Sequence, residues 1–152
     1  MGKERYTPGG WAADASGVRR PGMDFAVRGP KAGTMKDPQT NELLQSLIKC
    51  IVACEHCATS CSQEMDARMM AACMLLDRDC ADACTYAARL VGRDSPRAGE
   101  ALRTCIDLCR ACAAECERHT FPHCRICAEK CRECHERCAS FLREMPQHQA
   151  MA

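Results

Sequence analysis

Nine cysteines in the second half of this chain fall three or four residues apart: Cys105, Cys109, Cys112 and Cys116, then Cys124, Cys127, Cys131, Cys134 and Cys138. An α-helix places residues three and four apart on one face, with Cβ atoms about 5–6 Å from each other. A strand would alternate them between two faces, and a loop imposes no such spacing. The pattern predicts two helices, each carrying a continuous stripe of thiols. Cys50, Cys54, Cys57 and Cys61 repeat the rhythm upstream, and Cys73, Cys80 and Cys84 form a thinner version between them.

That density constrains the core. Sixteen cysteines stand against three Phe, two Tyr and one Trp in 152 residues, so aromatic side chains cannot supply most of the buried area. Buried cysteine does behave as a small hydrophobe. A core held by thiols alone, however, packs little surface where four helices meet. Secreted disulfide scaffolds reach this cysteine content with loop-rich, irregular spacing. Here neighbours on one helix would crosslink nothing useful. No apolar run approaches the roughly 18 residues of a membrane span. Arg19-Arg20 resembles a twin-arginine export signal, but Pro21 to Thr40 carries Asp24, Arg28, Lys31 and Lys36 and no apolar core. The expected compartment is the cytosol, where thiols stay reduced and free to bind soft metals.

Residues 1–36 hold seven of the nine glycines, seven Lys/Arg, three Asp/Glu and no cysteine. Such a composition predicts a disordered basic arm. Within it, Met23 to Gly29 is a short apolar patch that could serve as a docking tag, and Trp11 is too isolated to interpret. No aromatic residues interleave with the basic ones, so nucleic acid is not an expected partner.

Four helices are expected over 37–145, with a disordered tail over 146–152. Asp37-Pro38 reads as N-cap and first helical residue of a helix running to about Glu64. Its seam is Leu43, Leu47, Cys50, Cys54, Cys57, Cys61 and Met65, spaced as in helical bundles. A second helix is expected from a cap at Asp66 to Val91, closed by Gly92 in left-handed conformation. Leu76 or Asp77 fills the gap between Cys73 and Cys80. Ser95-Pro96 opens a third helix, with Leu102, the four cysteines and His119 facing inward. After a break at Thr120 to Pro122, the fourth ends before Pro146. Short connections make an all-α, up-down-up-down antiparallel bundle with a cysteine-lined core. Its surface is charged, with Arg78–Asp82 and Glu133–Arg137 spaced to pair.

Four stripes converging on one axis make a tube of sulfur. Soft thiolates select Cu(I), zinc or iron–sulfur iron. Zinc normally takes closed sets of four ligands, and an unbroken ladder matches that poorly. Iron–sulfur motifs wrap a cluster with loops, which rigid helices do not provide. Cu(I) accepts two or three thiolates, and one monovalent ion per thiolate leaves a buried tube near neutral if each sulfur bridges two ions. Capacity is then on the order of 16 ions by that charge balance, which is storage rather than catalysis. Zinc sequestration and an iron–sulfur or other redox role remain the alternatives. A nucleophilic enzyme would need one privileged thiol beside a base, and sixteen equivalent ones argue against it. Cys131 to His135 also matches the haem-attachment pattern Cys-x-x-Cys-His, but both cysteines already belong to the stripe.

The two ends differ. Met65, Met69, Met70, Met74, His119 and His123 gather at one, where thioethers and imidazoles suit copper loading. Leu43, Leu47, Leu90, Val91, Leu102, Phe141 and Leu142 close the other. His56 and His135 belong on the surface.

On these stripes, over about Asp37 to Met145, the sequence resembles the bacterial copper storage proteins, and in particular the cytosolic type. The resemblance implies a bundle holding many Cu(I) ions on Cys50, Cys54, Cys57, Cys61, Cys73, Cys80, Cys84 and the nine later cysteines. It further implies a His/Met-rich mouth, matched here by Met65, Met69, Met70, Met74, His119 and His123, an apolar closed end and a homotetramer. Some storage proteins of this kind are similar to cargo of encapsulin shells, held by a tag in a flexible terminus, and Met23 to Gly29 resembles such a tag. The thin second stripe implies a gap in the thiol lining near Asp77.

Overall fold

A computed structural model describes residues 36–145. The expectations for the arm, including Trp11 and Met23 to Gly29, and for the tail lie outside the described residues.

Four helices follow one another: α1 (Pro38–Cys61), α2 (Ala71–Gly92), α3 (Ala98–Cys116) and α4 (Pro122–Glu144). The start of α1 is the one read from sequence. Asp37 accepts from the Thr40 backbone N–H at 3.0 Å and from its hydroxyl at 2.7 Å, and Pro38 follows at a position whose N–H has no helical partner. Those bonds also hold the Asp37 carboxyl below its ordinary pKa.

Four other boundaries differ from expectation. α1 stops at Cys61 rather than Glu64, and α2 starts at Ala71 rather than Asp66. The intervening residues make tight i→i+3 turns, such as Glu64 N–H to Cys61 O and Met69 N–H to Asp66 O. The α2 cap position is held by Met70, without a side-chain bond. The reversal thus occupies nine residues, because the two seams must come back into register across the tube. At the far end of α2 the left-handed residue is Asp94 (φ 53°), not Gly92, which is the last helical residue. Ser95 N–H reaches Leu90 O at 2.9 Å and Asp94 N–H reaches Val91 O at 3.2 Å. This is a Schellman closure with aspartate in the glycine position, a residue that tolerates the left-handed region better than most. Asp94 also pairs with Lys36. α3 begins at Ala98, two residues beyond Pro96, while the Ser95 hydroxyl accepts from Arg97 N–H at 3.3 Å.

α1 packs against α2 and α4, and α3 against the same two, so the helices stand at the corners of a square. Sulfur contacts fix their directions. Cys61 meets Cys73 while Cys50 meets Cys80; Cys73 meets Cys116 while Cys84 meets Cys105; Cys57 meets Cys124 while Cys50 meets Cys131. Rising numbers on one helix match falling numbers on the next, so all neighbours are antiparallel. Buried alanines (Ala58, Ala81, Ala83, Ala87, Ala101, Ala113 and Ala128) flank the cysteine stripes and let the helices approach closely. Outside, Arg137 pairs with Glu42 of α1 and Glu133 with Lys130. These partners replace the expected Glu133–Arg137 pair, and Arg78 and Asp82 form no ion pair with each other.

Candidate metal-binding core

All sixteen cysteines are wholly buried and none is in a disulfide. Within 4.0 Å their sulfurs form two networks, one of five (Cys57, Cys61, Cys73, Cys116 and Cys124) and one of the other eleven, bridged by a carboxylate. From the end where α1 turns into α2, Cys61 lies 3.9 Å from both Cys57 and Cys73, and Cys73 lies 3.6 Å from Cys116. Deeper, Cys127 is 3.7 Å from Cys54, and Cys54 is 3.6 Å from Cys131. Beyond that, Cys80 meets Cys109 at 3.6 Å, Cys84 meets Cys105 at 3.4 Å, and Cys105 meets Cys138 at 4.0 Å. Each separation far exceeds the roughly 2.05 Å of a disulfide.

The larger network contains near-equilateral triangles. Cys50, Cys80 and Cys131 stand 3.9, 3.7 and 3.9 Å apart, and Cys50, Cys80 and Cys109 stand 3.9, 3.9 and 3.6 Å apart. An ion at the centre of such a triangle would lie about 2.2 Å from each sulfur, close to the metal–thiolate length of about 2.3 Å known for zinc. Sets of four sulfurs also exist, but they overlap. Cys50 belongs both with Cys54, Cys80 and Cys131 and with Cys80, Cys84 and Cys109. Separate tetrahedral ions need separate sets, whereas shared sulfurs suit bridging between several ions.

One carboxylate interrupts the sulfur. Asp77 takes the inward position between Cys73 and Cys80 and is wholly buried, while Leu76 turns to a half-buried flank. The expected gap is therefore filled. Asp77 Oδ1 accepts from Cys112 at 3.1 Å, Cys127 at 3.3 Å and Cys116 at 3.6 Å, and Oδ2 from Cys73 at 3.7 Å. Burial first, then the charge of Cys127, pushes its carboxyl up to about 8. Burial first, then Cys73, likewise pushes the Cys61 thiol up to about 11, and burial pushes Cys124 up as well. Low dielectric thus disfavours the thiolate form of Cys61 and Cys124.

The methionines and histidines expected at this end are not equivalent. His123 is nearly buried, its Nε2 3.4 Å from Cys61 Sγ and its ring stacked on Phe121 with centroids 5.3 Å apart. It belongs to a set with Cys57, Cys61 and Cys124. His119 is mostly buried and its Nε2 donates to Glu115 Oε1 at 3.3 Å. Met70 is buried and Met74 half-buried, but Met65 is wholly exposed and Met69 is 72% exposed. The structure therefore brings His123 to the sulfur network and leaves Met65 and Met69 outside it, because α1 ends before Met65 can continue the seam. At the other end Leu43, Leu47, Leu90, Val91 and Leu102 are buried, with Phe141 and Leu142 packed on them. His56 is exposed, and His135 is half-buried with Nδ1 3.3 Å from Ile106 O. Glu64, Glu115 and Phe121 were not singled out from sequence. The i,i+4 spacing of Glu115 and His119 is the signal that could have found one of them.

A family model described as copper storage protein matches residues 36–143, nearly the whole of the four-helix unit. The chain belongs to the copper storage protein family. Among curated relatives, an uncharacterized cysteine-rich protein, YhjQ of Bacillus subtilis, is 40% identical over 97 residues, covering 64% of this chain and 90% of the relative. Solved members of the family share the bundle. Cu(I)-bound BsCsp3 of Bacillus subtilis is 38% identical, covering 67% of this chain and 96% of its own, with a TM-score of 0.65. The copper storage protein Ccsp of Streptomyces lividans, loaded with 10 copper equivalents, is 31% identical, covering 76% and 92%, with a TM-score of 0.70.

Proposed function

We propose that the bundle stores many Cu(I) ions, up to about one per cysteine, and does no catalysis of its own. The observation that carries this reading is sixteen buried, unlinked thiols whose triangles share corners. Bridging thiolates and monovalent ions balance charge inside a low-dielectric tube, which a divalent metal at the same occupancy would not. Soft thiolate and thioether ligands favour Cu(I). The ligands are the sixteen cysteines, with His119, His123 and Met70 serving loading at the mouth and Met65, Met69 and Met74 as outer donors. Titration of the reduced protein with Cu(I) against a competing chelator tests this. Tight uptake of many equivalents supports it, and saturation at one or two overturns it.

The reading places the protein in the cytosol, as the relative from Streptomyces lividans is described. Self-association to a tetramer is part of it, supported by Ile48 and Val52, which leave an apolar strip 55% and 63% exposed on α1. For residues 1–36 we propose docking to an encapsulin shell through Met23 to Gly29. Deleting that segment and finding unchanged co-purifying partners would dismiss it.

A further inference from the structure

We propose that Glu115 is a positioning residue of the copper mouth: its carboxylate fixes the tautomer of His119, so that the two mouth histidines offer opposite ring nitrogens. The inference rests on the proposed loading role of the mouth. A carboxylate only accepts hydrogen bonds, so the contact between His119 Nε2 and Glu115 Oε1 at 3.3 Å requires the proton on Nε2. The lone pair of His119 is then on Nδ1. His123 is held the other way round. Its Nε2 faces Cys61 Sγ at 3.4 Å, while its Nδ1 lies on the Glu64 side at 3.9 Å. The anion on that side favours the proton on Nδ1, leaving the Nε2 lone pair beside the thiol.

Glu115 is built for the task. Its side chain is only 12% exposed although it sits near the end of α3, and His119 is 16% exposed. Its second oxygen is occupied by Arg118 Nη1 at 2.8 Å, so the carboxylate cannot swing away without breaking that bond too. His119 lies just past the helix, where its backbone N–H still bonds Cys116 O at 3.1 Å, so the bond fixes its backbone while the carboxylate holds its ring. Histidines that bind metal usually give their other ring N–H to such a carboxylate or carbonyl, which sets the tautomer and raises the basicity of the ligating nitrogen. Glu64, at 3.9 Å, is beyond hydrogen-bond reach of His123. There the orienting work falls to the Phe121 stack.

The test compares Glu115→Ala, Glu115→Gln and His119→Ala in the reduced, metal-free protein and during loading with Cu(I). Ring-nitrogen NMR at a pH where imidazole is neutral should show His119 protonated on Nε2 in the wild type and in Glu115→Gln, whose amide oxygen still accepts. In Glu115→Ala the two tautomers should mix, and stopped-flow loading should slow by roughly 10-fold, as for loss of other metal-site supports, with the final copper capacity unchanged. Slow loading by His119→Ala with an unaltered tautomer and rate in Glu115→Ala would overturn the positioning role. An unaltered rate in His119→Ala itself would instead overturn the mouth on which it rests.

Discussion

The two ends of the bundle are made of the same helices yet obey different physics. At the closed end Leu43, Leu47, Leu90 and Leu102 are wholly or almost wholly buried, and α2 is sealed by the Asp94 turn and the Lys36–Asp94 pair. At the opposite end, the proposed mouth, α1 stops early and the chain reverses through tight turns. There the conspicuous side chains are His123 against Cys61, His119 against Glu115, and a buried Met70. Ordinary apolar burial is thus concentrated where copper has no reason to pass. The sulfur-lined middle contributes small side chains whose favourable state, as proposed above, is with metal bound.

That contrast implies that folding strength and copper handling can be damaged separately. The largest effect is expected from the middle. Replacing Cys50, Cys80, Cys109 and Cys131 together by serine removes the corners of several shared triangles. Capacity in a competition titration should then fall by at least about four ions on the charge-balance argument. An unchanged capacity would mean that the deep thiols do not bind.

Next comes the closed end. Leu102→Ala or Leu47→Ala leaves a cavity among buried side chains and should cost about 2–5 kcal/mol in denaturant unfolding of the metal-free protein. The number of copper ions held per folded bundle should stay the same. Loss of capacity without loss of stability would reverse the division of labour.

Asp77 sharpens the comparison inside the tube. Its carboxyl rises from 3.8 in the unfolded chain to about 8 in the bundle. Folding therefore favours its protonated form. The stabilisation is complete below about pH 4 and is lost as pH rises to about 8, with a slope of up to about 1.4 kcal/mol per pH unit. Relative to Asp77→Asn, which cannot ionise, the metal-free wild type should lose stability over that window in urea titrations. Parallel pH profiles for the two proteins would show that Asp77 stays ionised throughout.

The smallest effect belongs to the outer thioethers. Met65→Ala with Met69→Ala touches no buried packing, so stability should move by less than about 0.5 kcal/mol. If these side chains capture copper, only the early rate of loading slows.

Which of these features could be read from residues alone follows from how local they are. The stripes were legible because an i,i+3,i+4 rhythm has one helical explanation, and Asp37-Pro38 because its capping bonds span three residues. The ends of α2 were not. Asp66 and Gly92 are the right residue types for cap and closure, but where the helix starts is set by the register of two seams across the tube, a long-range requirement. Aspartate taking the left-handed position at Asp94 is likewise invisible while a glycine stands two residues away. Asp77 was seen as a gap in the thiols. Its four sulfur partners come from three helices (Cys73, Cys112, Cys116 and Cys127), so only the packed bundle shows it as a hub.

The most direct test counts two quantities at once: copper bound and protons released as the reduced protein is loaded with Cu(I). A neutral tube of bridging thiolates predicts uptake continuing to the order of 16 ions, with about one proton leaving per ion. Uptake that halts after a few ions, each expelling two or more protons, would mean isolated closed sites and would contradict the account.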